Sequence, residues 1–288
     1  MKMKTVLSMA ALGLFSLGLV ACGGNGSSSS GQTIEVVSRE DGSGTRGAFT
    51  ELTGILSKEN GKEVDNTSKA AVIQNNTEVV ISTVSGNTNA VGYISLGSLN
   101  DKVKAVKLDG VEASEENVLS GEYKLQRPFN VVWSGKGSEI VTDFLSYINS
   151  KEGQAIVKEN HYIQATDAKA SYEAKSVSGK LSIVGSTSVA PLIEKLAESY
   201  CKLNPDVTID MTANGSSAGI TAAKEGTADI GMVSRELTDD EQAGLTHQVI
   251  ALDGIVVITN KDNQVDSLTM DQISSIFTGK TTTWSDVK

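Results

Sequence analysis

Short β-branched runs alternate along this chain with stretches whose apolar residues recur at helical spacing. Residues 33–38 read as a strand, 39–47 as a polar loop, and Ala48, Phe49, Leu52, Ile55 and Leu56 as one face of a helix. Residues 180–184 repeat the plan, with the loop 185–188 and a helix face of Val189, Leu192, Ile193, Leu196 and Tyr200, where Pro191 suits a first turn. A third copy runs from strand 207–211 through 214–219 into a helix bearing Ile220, Ala222 and Ala223. A fourth strand, 229–233, ends at Ser234-Arg235-Glu236. Segments 92–96, 103–108, 129–133 and 249–258 read as further strands, and Ile140, Val141, Phe144, Leu145 and Ile148 as another helix face. This alternation predicts an α/β architecture with largely parallel sheets. The spacing is too irregular for a solenoid.

The first residues follow different rules. Lys2 and Lys4 precede an uncharged stretch, 5–21, which is slightly short of the ~20 residues that span a bilayer as a helix. Residues 1–21 therefore read as a secretory signal. The run ends Leu19-Val20-Ala21-Cys22, which resembles the bacterial lipobox, whose cysteine is acylated and becomes the mature N-terminus. The tract 22–31 then follows as lipidated Cys22 plus a Gly/Ser linker that cannot pack, with a reach of roughly 15–18 Å for a flexible coil of this length.

Charge narrows the partners. The 288 residues carry 25 Lys+Arg and 35 Asp+Glu, a net charge of −10, and loss of Lys2 and Lys4 with the leader makes the processed form −12. Such a chain is a poor partner for nucleic acid, whose affinity rests on phosphate neutralisation. Cys201 has no cysteine to pair with once Cys22 is acylated, and reads as a small buried hydrophobe. The two histidines, His161 and His247, are far apart and lack Cys neighbours, so no metal or cofactor site is expected.

The loops carry the chemistry. Exposed N–H groups in a helix's first turn favour an anion, glycine permits close backbone approach, and Ser/Thr hydroxyls add adaptable donors. Four such loops at strand C-terminal ends share the place where open α/β sheets bind ligands. Arg39 supplies a guanidinium fork suited to a tetrahedral oxyanion, with Asp41 as the residue to orient it, or else it serves a surface ion pair with Glu40 or Asp41. No Walker-type Gly-x-x-x-x-Gly-Lys-Ser/Thr occurs. An alternative of another class is a serine hydrolase: 215–219 match Gly-x-Ser-x-Gly around Ser217, and Asp229 and His247 follow in the order of an α/β-hydrolase triad.

Several segments together resemble one family across nearly all of the chain beyond the leader. They are 37–46 (Val-Ser-Arg-Glu-Asp-Gly-Ser-Gly-Thr-Arg), 92–97, 185–191 (Gly-Ser-Thr-Ser-Val-Ala-Pro), 226–232, Ala251-Leu252-Asp253-Gly254 and Ile276-Phe277-Thr278-Gly279-Lys280. The sequence resembles the substrate-binding lipoproteins of phosphate-specific ABC importers. The resemblance implies a two-lobed periplasmic-binding-protein fold of type II that closes on inorganic phosphate without catalysis. It also implies delivery to the permease and ATPase subunits of the importer by a monomer tethered through Cys22 on the extracytoplasmic face. Sulfate or another tetrahedral oxyanion is the alternative ligand.

Matched position by position, the family's loops imply phosphate contacts from Arg39, Ser43, Gly44 and Thr45, from Thr187 and Ser188, and from Ser216. Some members place an Asp after the Asp-x-Gly strand to accept the proton of hydrogen phosphate. Here that position is Ser234, so its hydroxyl and a nearby carboxylate are both candidates. Most members also carry the Gly-Ser-Thr half first; here it comes second, the order of a circular permutation that streptococcal relatives share. The expected lobes are 32–124 plus 253–288, which holds the Arg39 loop, and 125–252, which holds Thr187, Ser188, Ser216 and Ser234. A permuted chain requires Lys288 to lie beside the Gln32 region.

Overall fold

The computed structural model describes residues 32–287; the leader, Cys22, the linker to residue 31 and Lys288 lie outside them. A ten-stranded sheet organises the chain. Its first four principal strands are β1 (Glu35–Arg39), β2 (Val72–Gln74), β3 (Ala90–Ser95) and β4 (Gln126–Ser134). The others are β5 (Gly179–Gly185), β6 (Val207–Ala213), β7 (Ile230–Val233) and β8 (Leu245–Asn260). They lie in the order β6-β5-β7-β4-β8-β3-β1-β2, and Val103–Ala105 and Ile163–Gln164 add short pairings to β8.

Parallel pairing holds each end of the sheet: β1 with β2 and β3, and β5 with β6 and β7. The long strand β8 joins the two. Leu245–Gly254 pairs antiparallel with β4, with a bulge between Val249 and Ala251, and Ile255–Thr259 pairs antiparallel with β3.

Helices cover the sheet: α1 (Gly44–Leu52), α2 (Thr77–Ser85), α3 (Glu139–Ile148), α4 (Ala190–Leu203) and α5 (Ser216–Glu225). Their apolar stripes pack into two large cores. One gathers buried residues from Ile34 to Leu125 and from Ile255 to Phe277, plus Ile163, and centres on stacked Phe49 and Tyr93 with Phe277 edge-on. The other runs from Phe129 to Ala251 and takes in the faces of α3 and α4, including Phe144, Ile148, Leu192, Leu196 and Tyr200. Cys201 is half-buried against this second core, and burial pushes its thiol up. The molecule is thus a two-lobed α/β fold.

Two expected elements differ. The helix after the Arg39 loop begins at Gly44, inside the expected loop 39–47, because Ser43 caps it there, and it ends at Leu52, because Gly54 turns the chain with φ +68° into the hairpin Leu56–Glu59/Lys62–Asp65. Ile55 still reaches the core, but from the turn. The expected strand 103–108 is split: Val103–Ala105 pairs with β8, whereas Lys107–Leu108 pairs with Ser267–Leu268. At the ends of the described chain, Ile34 N donates to Thr282 O (2.8 Å) and Trp284 N to Gln32 O (3.0 Å), so residues 32–34 run beside 282–284.

Candidate functional site

The site lies where the C-terminal ends of β1, β2, β5, β6 and β7 give way to loops and helices. Strand β1 delivers Arg39, only 2% exposed, and its position is fixed from behind by Tyr93. The Tyr93 hydroxyl accepts from Arg39 N (3.2 Å) and shares a hydrogen bond with Ser38 Oγ (2.8 Å). The guanidinium donates through Nε and Nη2 to the two Glu40 carboxylate oxygens, both at 2.8 Å, and through Nη2 to Thr187 Oγ1 at 3.0 Å. Glu40, not Asp41, therefore orients Arg39. Asp41 pairs instead with Arg46 (2.9 Å), whose guanidinium is held over the loop by the Arg39 carbonyl.

The loop then opens α1. Ser43 is its N-cap, accepting from Arg46 N through its oxygen, which leaves its O–H as a donor at the mouth of the helix. Gly44 and Thr45 follow in the first turn, and Thr45 Oγ1 lies 2.8 Å from Ser188 Oγ. Thr77 opens α2 behind the Asn76 N-cap, with its hydroxyl 3.4 Å from that of Thr187 and 3.3 Å from that of Ser188.

The second lobe meets these groups with three loops. Gly185 at the end of β5 has φ +144°, and a Cβ there would fall 2.3 Å from Met232 O, so only glycine allows this approach to β7. After it, Ser186 Oγ donates to Ser234 Oγ (2.9 Å) and accepts from Ser188 N. Ser216, the first residue of α5, accepts from Ser234 N (3.1 Å). The lobes touch through backbone as well, since Ser217 N donates to Gly42 O (3.1 Å). They approach so closely at Gly44 that an added Cβ would lie 2.2 Å from Ser216 Oγ and 2.6 Å from Ser234 Oγ.

Thus Arg39, Gly44, Thr45, Thr187, Ser188, Ser216 and Ser234 come together, joined by Thr77 and Ser186. Thr45, Ser188, Ser216 and Ser234 are at most 1% exposed. Hydroxyl rotors, first-turn N–H groups of helices and one guanidinium make a set of donors suited to a small oxyanion. Beside them a cavity of about 450 Å³ is lined by residues that include Asp41, Arg46, Ser217 and Arg235. Its arginines are already engaged: Arg46 with Asp41 and Asp65, and Arg235 with Glu241 at 2.6–2.7 Å.

The hydrolase arrangement is not assembled. Asp229 accepts from Ser182 N (2.8 Å), His247 sits in β8 opposite Val132, and no hydrogen bond joins either to Ser217 among the described residues.

The chain matches the family model described as the PBP superfamily domain over residues 25–152 and 170–288. It is 60% identical to "Phosphate-binding protein PstS 2" of Streptococcus pneumoniae serotype 4, with both chains covered in full. The chain belongs to the PstS family of the PBP superfamily. A protein named PstS 2 from Streptococcus agalactiae serotype V is 51% identical over all of this chain and 99% of its own. The crystal structure of a phosphate-binding protein of a phosphate ABC transporter from Streptococcus pneumoniae TIGR4 is 61% identical. It aligns with a TM-score of 0.73 over 89% of this chain and all of its own.

Sequence reasoning passed over several residues that hold this PstS-family site together. Thr77 follows a strand of only three residues, too short to show a period, although Asn76 before it is a legible cap. Ser186 was visible in its loop, but its bond to Ser234 spans 48 residues. Behind the site, Arg127 and Asp253 form an ion pair that is almost wholly buried. Burial pushes the Asp253 carboxyl up, against the pull of the Arg127 guanidinium and the Ser95 hydroxyl.

Proposed function

We propose that this chain captures inorganic phosphate between its lobes, with no catalytic step, and delivers it to the permease and ATPase subunits of an ABC importer. The observation that carries the reading is the convergence of donors from both halves: Arg39 on Thr187 at 3.0 Å and Thr45 on Ser188 at 2.8 Å. The names of the relatives matched over the whole chain, phosphate-binding proteins, support the same ligand. In this reading phosphate is bound by Arg39, Ser43, Gly44, Thr45, Thr187, Ser188, Ser216 and Ser234, with Ser43 also capping the α1 terminus. The Ser234 hydroxyl, which accepts from Ser186, is the proposed partner of the ligand's own proton.

The lobes are 32–124 plus 253–288 and 125–252, a division supported by where the two large cores draw their residues. The neighbouring ends at Gln32 and Trp284 support a circularly permuted order. The protein acts as a monomer, processed after residue 21 and anchored through acylated Cys22 on the outer face of the cell membrane. The lipobox-like run carries that part of the reading, and no helix among the described residues is long and apolar enough to cross a membrane.

Calorimetry with phosphate and with sulfate tests the assignment. Tight phosphate binding with negligible sulfate heat is expected; equal affinities would refute phosphate specificity.

A further inference from the structure

The segment Ala251-Leu252-Asp253-Gly254 belongs to the family pattern, yet none of its residues lines the cluster of donors. Asp253 is 1% exposed and faces Arg127, 3% exposed, across paired strands β8 and β4. Arg127 donates to Asp253 Oδ2 through Nε (3.2 Å) and Nη2 (3.0 Å). The other Asp253 oxygen accepts from Ser95 Oγ (2.8 Å), at the end of β3. A buried ion pair is weak evidence for stability, because desolvation offsets the attraction between its charges. Its remaining contact is more informative: Arg127 Nη1 donates to the Ser234 carbonyl at 3.0 Å. Three residues along β4, buried Asn130 donates to the next carbonyl, that of Arg235, also at 3.0 Å.

We infer that the Arg127–Asp253 pair is a positioning device for the Ser234 side of the site. Asp253 fixes the guanidinium from the β3 side, and the guanidinium fixes the Ser234 main chain. Ser234 N then meets Ser216 Oγ, and Ser234 Oγ meets Ser186 Oγ. One buried fork thereby ties the strands that pass between the lobes to the turn that presents two site hydroxyls. Lysine in place of Arg127 keeps the charge opposite Asp253 but loses the planar fork that serves Asp253 and Ser234 together.

The inference rests on the phosphate reading, and a double-mutant cycle in the full chain separates the two. Phosphate affinity is measured by calorimetry for the unmodified protein, Arg127→Lys, Ser234→Ala and the double variant, with thermal unfolding in the absence of phosphate alongside. Arg127→Lys is expected to weaken phosphate about tenfold. The double variant is expected to bind within about threefold of the weaker single one, because both changes act through Ser234. Affinity of Arg127→Lys within about twofold of the unmodified protein, or losses that simply multiply, would overturn the positioning role and leave the phosphate reading standing. Absence of phosphate binding by the unmodified protein would overturn both. If Arg127→Lys fails to fold, Asp253→Asn takes its place in the cycle with the same expectations; failure of both to fold would make the pair an element of the fold and overturn the inference.

Discussion

A single methyl group tests the close approach of the lobes. In Gly44→Ala the new Cβ falls 2.2 Å from Ser216 Oγ, 2.6 Å from Ser234 Oγ and 3.0 Å from Ser216 Cβ, where ordinary contact begins at 3.4 Å. Relief requires the two loops to separate by about 1.2 Å, the difference between 3.4 and 2.2 Å. Neither serine can swing aside, since both are fully buried and Ser216 is bound to Ser234 N. Overpacking of this kind costs about 1–3 kcal/mol, and each 1.4 kcal/mol is tenfold in affinity, so phosphate should bind roughly 5- to 150-fold more weakly. The fold itself should not suffer: Gly44 is the first residue of α1, and alanine is the better helix former. Calorimetry with phosphate and thermal unfolding without it read the two effects separately. Gly47→Ala is the control, because its Cβ would meet only the Arg235 side chain, at 3.1 Å from Cδ, and none of the site hydroxyls. If Gly44→Ala bound phosphate as well as Gly47→Ala does, or lost its affinity only in step with its unfolding temperature, the close-approach argument would fail.

Arg39→Ala should weaken phosphate roughly 10- to 150-fold, the range for hydrogen bonds to charged groups of about 1.5–3 kcal/mol, and Arg39→Lys should not restore it; calorimetry checks both. Thr77→Val removes one site hydroxyl at nearly constant shape and should weaken phosphate about fivefold, which equilibrium binding resolves. Long-range attraction is absent from so acidic a chain, so stopped-flow on-rates for phosphate should stay level or rise slightly with added salt, and a steep fall would contradict the picture. Burial pushes the Asp65 carboxyl up, but hydrogen bonds from Thr67 and Arg46 outweigh it and leave the group below its ordinary value. A depressed carboxyl contributes stability that is present above its unfolded pKa and lost as pH falls through the folded one. Asp65→Asn should therefore flatten the acid limb of a denaturation-midpoint-versus-pH curve and leave its neutral region little changed in slope.

What the sequence made legible was local. The strand–loop–helix units around Arg39, Thr187 and Ser216 each lie within about 25 residues, and glycine, serine and apolar spacing announce them without help from the rest of the chain. The choice of Glu40 over Asp41 as partner to Arg39 was not legible, because Arg46 competes for Asp41 once the loop is folded. Nor was the early end of α1, where Gly54 overrides an apolar spacing that Ile55 and Leu56 continue. The Arg127–Asp253 pair joins residues 126 apart through strand register, which no local pattern encodes. The hydrolase pattern around Ser217 shows the converse. A correct motif spacing carries no chemistry when the fold gives Asp229 to a β5 amide and His247 to a strand.

The same geometry explains how a chain of net charge −10 can serve an anion. Arg39 is paired with Glu40, so little of its charge acts at a distance. The remaining positive potential comes from the first turns of α1, α2, α4 and α5, which bring Gly44 and Thr45, Thr77, the Ser186–Ser188 loop and Ser216 together. Each helix N-terminus is equivalent to roughly half a positive charge, so four of them supply about two, comparable to a phosphate dianion. That field acts only within the first turn and in a buried setting, whereas the acidic surface is screened over a Debye length of about 8 Å at physiological salt. A ligand small enough to be enclosed therefore meets a compensating environment, while an anionic polymer or membrane surface, unable to enter, meets only the acidic exterior.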